Sequence, residues 1–140
     1  MTGEMESSGS PLVVSERNMR EMGEKLKNSS VPMAERFRIL FTLRNINNPL
    51  AIELIGNALS DKSVLLKHEL AYCLGQMGNT AAIPVLNAVL ENEVEDPMVR
   101  HEAGEYISER CINGNCVFLL VSVVIHYILH CIFQAKLWEL

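Results

Sequence analysis

Aromatic residues are scarce, at 6% of the 140 residues, although the broad hydrophobic fraction reaches 49%. Leu, Ala, Ile and Met supply most of that hydrophobicity, whereas β-sandwiches depend on aromatic and β-branched residues. The chain also lacks an excess of positive charge, since 12 Lys and Arg face 17 Asp and Glu, for a net charge of -5. That balance argues against nucleic-acid binding, which needs basic patches to neutralise phosphates. We therefore predict an all-α protein with no nucleic-acid partner.

Paired cysteines and a secretory signal are also missing. Cys111 and Cys116 have four residues between them, and no second pair completes a tetrahedral zinc site. Cys73 lies within an apolar helical pattern, which predicts a buried small hydrophobe. The first ten residues are polar and acidic, without the apolar core of a signal peptide. We expect reduced thiols and a cytoplasmic location.

The amino-terminal part changes character twice before the main pattern begins. Residues 1–15 are rich in Ser, Gly and Glu without periodicity, which predicts a disordered leader. A short helix is predicted over residues 16–26, where apolar residues recur along one face. Pro32 follows a polar break and is well placed at the start of the next helix.

A repeat then extends over most of the remaining chain. Residues 43–52 match residues 74–83 in their apolar positions, at an offset of about 31 residues. The next unit comes two residues later, because an acidic loop over 91–96 is longer. Turns are predicted at 45–49 and 78–80, where Asn, Gly or Pro cluster. Two short amphipathic helices per unit indicate a HEAT-like helical solenoid, an α-α superhelix, over residues 16–108.

When the units are aligned, one tripeptide of each falls at the same position of the repeat, which we call the slot. The first unit has RFR at 36–38, the second has KHE at 67–69, and the third has RHE at 100–102. The first unit thus has an aromatic ring and a base where the others have His-Glu, and it resembles the capping repeat that solenoids need at their ends.

The two His-Glu pairs are the candidate metal ligands. Stacked inner helices lie about 8–10 Å apart, so equivalent pairs could direct four side chains at one point between them. Imidazole with carboxylate and open positions is the ligand set of non-haem iron, whereas zinc would need the set closed or completed by water. Tyr72 and Glu105 exclude the zincin HExxH pattern. The candidates are His68, Glu69, His101 and Glu102, and no catalytic residue beyond these ligands is predicted.

A plainer interpretation applies to most other features of these helices. A single His-Glu pair is usually an ordinary surface dipeptide, and the repetition at equivalent slots is what favours ligands. The bases before each pair, Lys67 and Arg100, are expected to be solvated rather than to contact a substrate. Met33, Met77 and Met98 are expected in the core.

The same stretch resembles the deoxyhypusine hydroxylase family. The similarity is carried by LLKHELAYCLGQM from residue 65, by AIP, by the short acidic loop, by DPMVRHEAGE over 96–105, and by AERFRILFTLRN over 34–45. It implies an oxidoreductase, a HEAT-repeat di-iron monooxygenase. Such an enzyme uses Fe(2+) and O2 to hydroxylate the deoxyhypusine side chain of translation factor 5A to hypusine. By that resemblance His68, His101 and Glu102 would ligate iron, with Glu69 a close or additional ligand.

The resemblance stops near Tyr106. The family is built of two symmetry-related halves with two His-Glu motifs each, so this chain holds the first half's pair. We therefore expect a truncated or variant product with half of the metal site, which does not assemble a di-iron centre alone. The alternative is a non-catalytic HEAT-repeat fragment that binds a protein partner.

An apolar segment stands in the unrelated tail. Residues 109–140 leave the repeat, and CINGNC over 111–116 is predicted to break it. Residues 117–133 carry no formal charge and predict an apolar helix at the lower length limit for a membrane span. The interpretations are a C-terminal membrane anchor or an aggregation-prone segment, and His126 and His130 are expected to be incidental.

Overall fold

The computed structural model describes residues 14–112, and side chains through residue 108. Every regular element in that part of the chain is helical. Two 3-10 turns, Ala58–Ser60 and Thr80–Ala82, supplement six α-helices. The α-helices are α1 Glu16–Lys27, α2 Met33–Ile46, α3 Pro49–Asn57, α4 Val64–Gln76, α5 Ile83–Glu91 and α6 Pro97–Ile112.

The helices form two layers. Helices α2, α4 and α6 lie side by side as an inner layer, in which α4 contacts both neighbours. Helices α3 and α5 occupy the outer layer, and α1 packs across α2 and α3 at the start of the solenoid. The approach of α1 is close, since a Cβ built on Gly23 would come within 2.5 Å of Leu54 Cδ2. The predicted HEAT-like solenoid is confirmed.

The chain turns in the same way in successive units. Asn47 ends α2 in the left-handed region at φ 47°, and Gly78 has φ 62° at the position 31 residues later. Asn and Gly are the residues that adopt this conformation at least cost. The Asn47 side chain also donates to the Met77 carbonyl oxygen at 2.8 Å, which links the two turns. Both turns fall where the sequence predicted them.

Side chains satisfy free backbone amides at the starts of four helices, α1, α3, α4 and α6. Ser15 caps α1 and Ser63 caps α4, each through its hydroxyl oxygen. Asn48 Oδ1 accepts from the Ala51 amide at 2.8 Å at the start of α3. Asp96 Oδ1 accepts from the Met98 amide at 2.9 Å at the start of α6. The caps of α4 and α6 fix where these two inner helices begin, and therefore where their His-Glu pairs lie.

One face of every inner helix forms the core. The equivalent positions 39, 70 and 103 are buried, as are positions 43, 74 and 107 one turn later. The His-Glu slot begins two residues before the first set. At about 100° per residue, two residues turn the helix by roughly 200°. Burial of the Leu70 and Ala103 face therefore forces His68 and His101 to the side of the helices that is not in the core.

A buried ion pair joins the first unit to the second. Arg36 is 2% exposed, and its Nε donates to the Leu26 carbonyl oxygen at 2.8 Å. Its second guanidinium nitrogen pairs with Asp61 at 2.5 Å. Burial alone would raise the pKa of Asp61, but hydrogen bonds from Arg36 and the Ser63 amide outweigh it and lower that pKa. The ionised pair therefore stabilises the fold near neutral pH.

Several boundary predictions differ from the structure or lie beyond it. Helix α1 begins at Glu16 and α2 follows Pro32, as predicted. Helix α6 continues through Cys111 to Ile112, so the break predicted at Cys111 comes too early. The described part of the predicted leader is Val14 and Ser15, and the apolar helix predicted over 117–133 lies outside the described residues. Over residues 14–112, no helix is long and apolar enough to cross a membrane.

Replacing Asp61 with Asn should lower the free energy of unfolding at pH 7 by about 2 kcal/mol, because a charge-assisted bond to buried Arg36 is lost. Since the folded-state pKa of Asp61 is lowered, its contribution is present above the ordinary value of 3.8 and disappears as pH falls through the lowered pKa. Denaturant unfolding between pH 3 and 7 measures the difference. Glu53→Gln, at an exposed site on α3, is the control that should change little. A constant difference at all pH values would contradict the assignment.

Candidate metal centre

Two adjacent inner helices present the four candidate ligands. His68 and Glu69 lie in the second turn of α4, and His101 and Glu102 lie in the second turn of α6. Because α4 and α6 pack directly against each other, the slots that the repeat alignment equated become spatial neighbours.

His68 stands between two carboxylates. Its Nδ1 lies 3.4 Å from Glu69 Oε1, and its Nε2 lies 3.2 Å from Glu102 Oε2 on the neighbouring helix. The three side chains are between 15% and 28% exposed, so water still reaches the cluster. The sequence predicted this meeting of imidazole and carboxylate across two units.

His101 does not join that cluster. Its Nε2 lies 3.9 Å from Glu105 Oε2, one turn further along α6, and both side chains are at least half exposed. In this arrangement the four candidate side chains do not meet at one point, and their assignment as metal ligands stays a prediction. Over the side chains described, no three His, Cys, Asp or Glu residues are grouped so that they could hold a metal ion. The physical reason is that an exposed His is free to pair with an acid on its own helix face.

Burial raises the pKa of the Glu102 carboxyl above its ordinary value of 4.5. The nearby imidazoles of His68 and His101 oppose that shift, whereas the carboxylates of Glu105 and Glu69 add to it. The ionised form of Glu102 is thus disfavoured at this position, and a nearby cation would stabilise it.

Apolar side chains border the cluster on the exposed side. Leu65 and Met98 are 60% and 59% exposed, and each lies three residues before a candidate His. Tyr72 lies four residues after His68 on the same helix face. Met77 is buried as predicted and Met33 packs against the core, but the core position predicted for Met98 is wrong. Met98 shares the open face of α6 with His101.

A polar chain crosses from α2 to α4 beside this border. The Arg44 guanidinium lies 5.3 Å from the centroid of the Phe41 ring and donates to Gln76 Oε1 at 2.8 Å. Gln76 Nε2 in turn donates to the Tyr72 hydroxyl at 2.6 Å. Tyr72 is therefore held in place next to the His68 cluster, by partners that the repeat alignment did not indicate.

The bases before the His-Glu pairs are not solvated, contrary to the sequence prediction. Lys67 is 14% exposed and pairs with Glu95, which is 11% exposed. Arg100 Nε donates to the Leu90 carbonyl oxygen at 3.0 Å, as Arg36 does to that of Leu26. These bases link each inner helix to neighbouring elements.

Sequence reasoning missed the acids of these pairs, although a signal was present. Asp61 follows Arg36 by 25 residues and Glu95 follows Lys67 by 28, each just before the next inner helix. An acid at that place in consecutive units is a repeat feature in its own right. The acidic loop over 91–96 therefore supplies a pairing residue as well as extra length.

Cys73 lies on the core side of α4 and is fully buried. Burial raises the pKa of its thiol to about 11, so the thiolate is not formed near neutral pH. The prediction of a buried small hydrophobe is confirmed, and Cys73 contributes no ligand to the His68 cluster.

Comparison with known families fits this architecture. The family model of HEAT repeats matches residues 23–109, which is more than half of the chain. The chain belongs to the HEAT-repeat family. Its first two HEAT units each contribute one inner and one outer helix, α2 with α3 and α4 with α5, and α6 is the inner helix of the third.

The HEAT units also resemble one enzyme. The chain is 52% identical over 93 residues to deoxyhypusine hydroxylase of Gallus gallus and 53% identical to that of Rattus norvegicus. Those 93 residues are 66% of this chain and 31% of each relative, so the chain spans about a third of the relatives it matches. The structure of human deoxyhypusine hydroxylase in complex with glycerol aligns at a TM-score of 0.66 with 40% identity. That alignment covers 76% of this chain and 41% of the human one. The resemblance seen in the sequence is confirmed.

Replacing Glu102 with Gln should raise the melting temperature of the metal-free protein at pH 7. Because the folded-state pKa of Glu102 is raised, its ionisation lowers the stability of the fold. The contribution of Glu102 to stability is therefore greatest below the ordinary pKa of 4.5 and is lost as pH rises through the raised pKa. Gln is nearly isosteric and removes that cost. Thermal unfolding between pH 4 and 8 tests this, with exposed Glu105→Gln as the matched control. A lower melting temperature for Glu102→Gln at pH 7 would refute the assignment.

Proposed function

We propose that this chain provides a half-site of deoxyhypusine hydroxylase, a monooxygenase that hydroxylates the deoxyhypusine side chain of translation factor 5A to hypusine. The observation that carries the proposal is the contact of His68 Nε2 with Glu102 Oε2 at 3.2 Å, between equivalent slots of two HEAT units. It occurs in a chain that is 52% identical to such enzymes over 93 residues.

We assign His68, Glu69, His101 and Glu102 as the ligands of Fe(2+). The donor set of imidazoles and carboxylates fits iron, and the absence of thiolate from the cluster does not favour zinc. Iron ligation requires neutral imidazoles and ionised carboxylates, so binding would release any protons that these groups carry. Ligation by all four would need the His101 ring to leave Glu105. Both side chains are at least half exposed, so no core contact opposes that change.

When bound, iron supplies the activation of O2 for hydroxylation. The chain's own residues hold the donor atoms and limit the access of water. Glu102 is oriented toward the neighbouring helix by its contact with His68 and is only 15% exposed. Leu65 and Met98 form an apolar border beside it, which is the surface that an aliphatic side chain would contact.

The substrate proposed is the deoxyhypusine form of translation factor 5A. Its modified side chain is a cationic, aliphatic arm derived from a polyamine. The carboxylates of Glu69, Glu102 and Glu105 lie on the same open face as the two apolar border residues, Leu65 and Met98. Negative charge beside exposed methylene and thioether groups matches both parts of such an arm.

We further propose that residues 16–108 form the HEAT-repeat part, that residues 109–140 form a separate tail, and that the protein acts in the cytoplasm. Since the resemblance implies four His-Glu motifs and this chain has two, the chain alone is expected to bind iron weakly and to give no turnover. The protein-docking alternative is not favoured, because a docking surface has no need of two His-Glu pairs in equivalent slots.

A chimera tests the proposal directly. Residues 23–109 of this chain replace the matching segment of the human enzyme, and hydroxylation of deoxyhypusine-containing factor 5A is measured with bound iron. We expect the chimera to be active, because its segment would supply the first two motifs. His68→Ala and His101→Ala should each abolish turnover and reduce the iron content, since each removes a ligand.

The control for the chimera uses the first HEAT unit. Phe37 occupies the slot of His68 and His101 but is not a candidate ligand, so Phe37→Leu should leave iron content unchanged. An inactive, iron-free chimera that is folded by circular dichroism would overturn the proposed function. Stoichiometric iron and turnover by the 140-residue chain alone would overturn the half-site assignment.

A further inference from the structure

We propose that the Lys67–Glu95 ion pair is a positioning element that sets the separation of His68 and Glu102. The inference rests on the proposed function only in treating those two residues as iron ligands. Lys67 directly precedes His68 on α4, and Glu95 lies in the loop that leads into α6. The pair therefore joins the two helices that carry the ligands, on the turn where the ligands begin.

A series of hydrogen bonds connects the Lys67–Glu95 pair to the start of α6. Glu95 Oε1 accepts from Lys67 Nζ and also from the Asp96 amide, the latter at 2.8 Å. Asp96 then caps α6, with its side chain on the Met98 amide and its carbonyl oxygen accepting from the Arg100 amide at 3.0 Å. The Glu95 carboxylate thus adds a polar link between the first turn of α6 and α4 to the direct packing of the two helices.

A shift at that carboxylate would reach the ligand. Glu102 follows Pro97, the first residue of α6, by five residues, which is about one and a half turns or roughly 7.5 Å of helix rise. A helix moves as a rigid body over that distance, so a displaced first turn displaces the Glu102 carboxylate with it. Because the pair is 14% and 11% exposed, water screens it little and it holds one geometry. The His68–Glu102 distance is therefore coupled to the ion pair.

The first HEAT unit contains the matching control. Arg36 and Asp61 form the equivalent pair, with the base in the same slot and the acid before the next inner helix. That pair joins α2 to α4, and its base is followed by Phe37 instead of a candidate ligand. Loss of either ion pair should lower stability, but only loss of Lys67–Glu95 should alter the ligand geometry.

The test compares Glu95→Gln with Asp61→Asn in the full 140-residue chain. The first readout needs no metal: a nuclear Overhauser effect between the His68 ring and the Glu102 side chain reports their contact. The second is the dissociation constant for Fe(2+), measured by anaerobic equilibrium dialysis. We expect Glu95→Gln to lose the Overhauser effect and to weaken iron binding about tenfold, as changes in the shell around metal ligands do. Asp61→Asn should alter neither.

Variants of the base complete the design. Lys67→Met should behave as Glu95→Gln does, whereas Lys67→Arg keeps the charge and should retain both the contact and the affinity. Thermal unfolding of each variant confirms that it is folded and shows how much stability each pair contributes. An unchanged His68–Glu102 contact in folded Glu95→Gln would overturn the inference. Equal loss of the contact in Asp61→Asn would also overturn it, because the effect would then be a general one on stability.

The outcomes separate this inference from the proposed function. If the wild-type chain shows the His68–Glu102 contact but binds no iron, and Glu95→Gln loses the contact, the positioning role stands while the iron assignment fails. If the wild type binds iron and Glu95→Gln binds it with unchanged affinity and contact, the positioning role fails while the iron assignment stands.

Discussion

The packing of α4 against α6 is the constraint on which the rest of the arrangement depends. Leu70 and Ala103 occupy equivalent places on the buried faces of these helices, and both are fully excluded from solvent. Once those faces are buried, the helical period places His68 and His101 on the other side. Burying a large apolar side chain stabilises the fold by about 2 kcal/mol or more. That free energy outweighs the contribution of the exposed ligands to folding. The core thus determines where the candidate ligands lie, although the ligands are not part of the core.

Apolar packing alone leaves the relative position of the inner helices loosely defined, because ridges and grooves accept a spread of angles and distances. Directional contacts add what the packing lacks. Arg36 with Asp61 and Lys67 with Glu95 each place a base of one unit on an acid that leads into the next. The side chain of Asn47 on the Met77 carbonyl joins the turns at the other end of the helices. Helices α2 and α4 are therefore fixed near both of their ends, and α6 is fixed near its start.

The periodic features of this chain could be predicted from its sequence, and the non-periodic ones could not. The HEAT-like class, the turns at Asn47 and Gly78, and the meeting of His68 with Glu102 all follow from the repeat alignment. The orientation of His101 does not, since it depends on the competition between Glu105 on its own helix and partners on α4. The burial of Lys67 depends on Glu95, which lies 28 residues away and is indicated only by the recurrence of an acid before each next inner helix. The exposure of Met98 depends on which face of α6 the core takes.

Glu102 illustrates how the fold and the site oppose each other. Its carboxyl is partly withdrawn from water and lies near other acids, so its ionised form is disfavoured and its pKa is raised. A chain selected only for stability would have an uncharged residue at this position, because nothing in the core needs the charge. A cation placed between His68 and Glu102 reverses the balance, since the same desolvation that penalises a lone carboxylate strengthens its attraction to a metal. The 3.2 Å contact of His68 with Glu102 and the raised pKa of Glu102 together support the cation site that the proposed function places here.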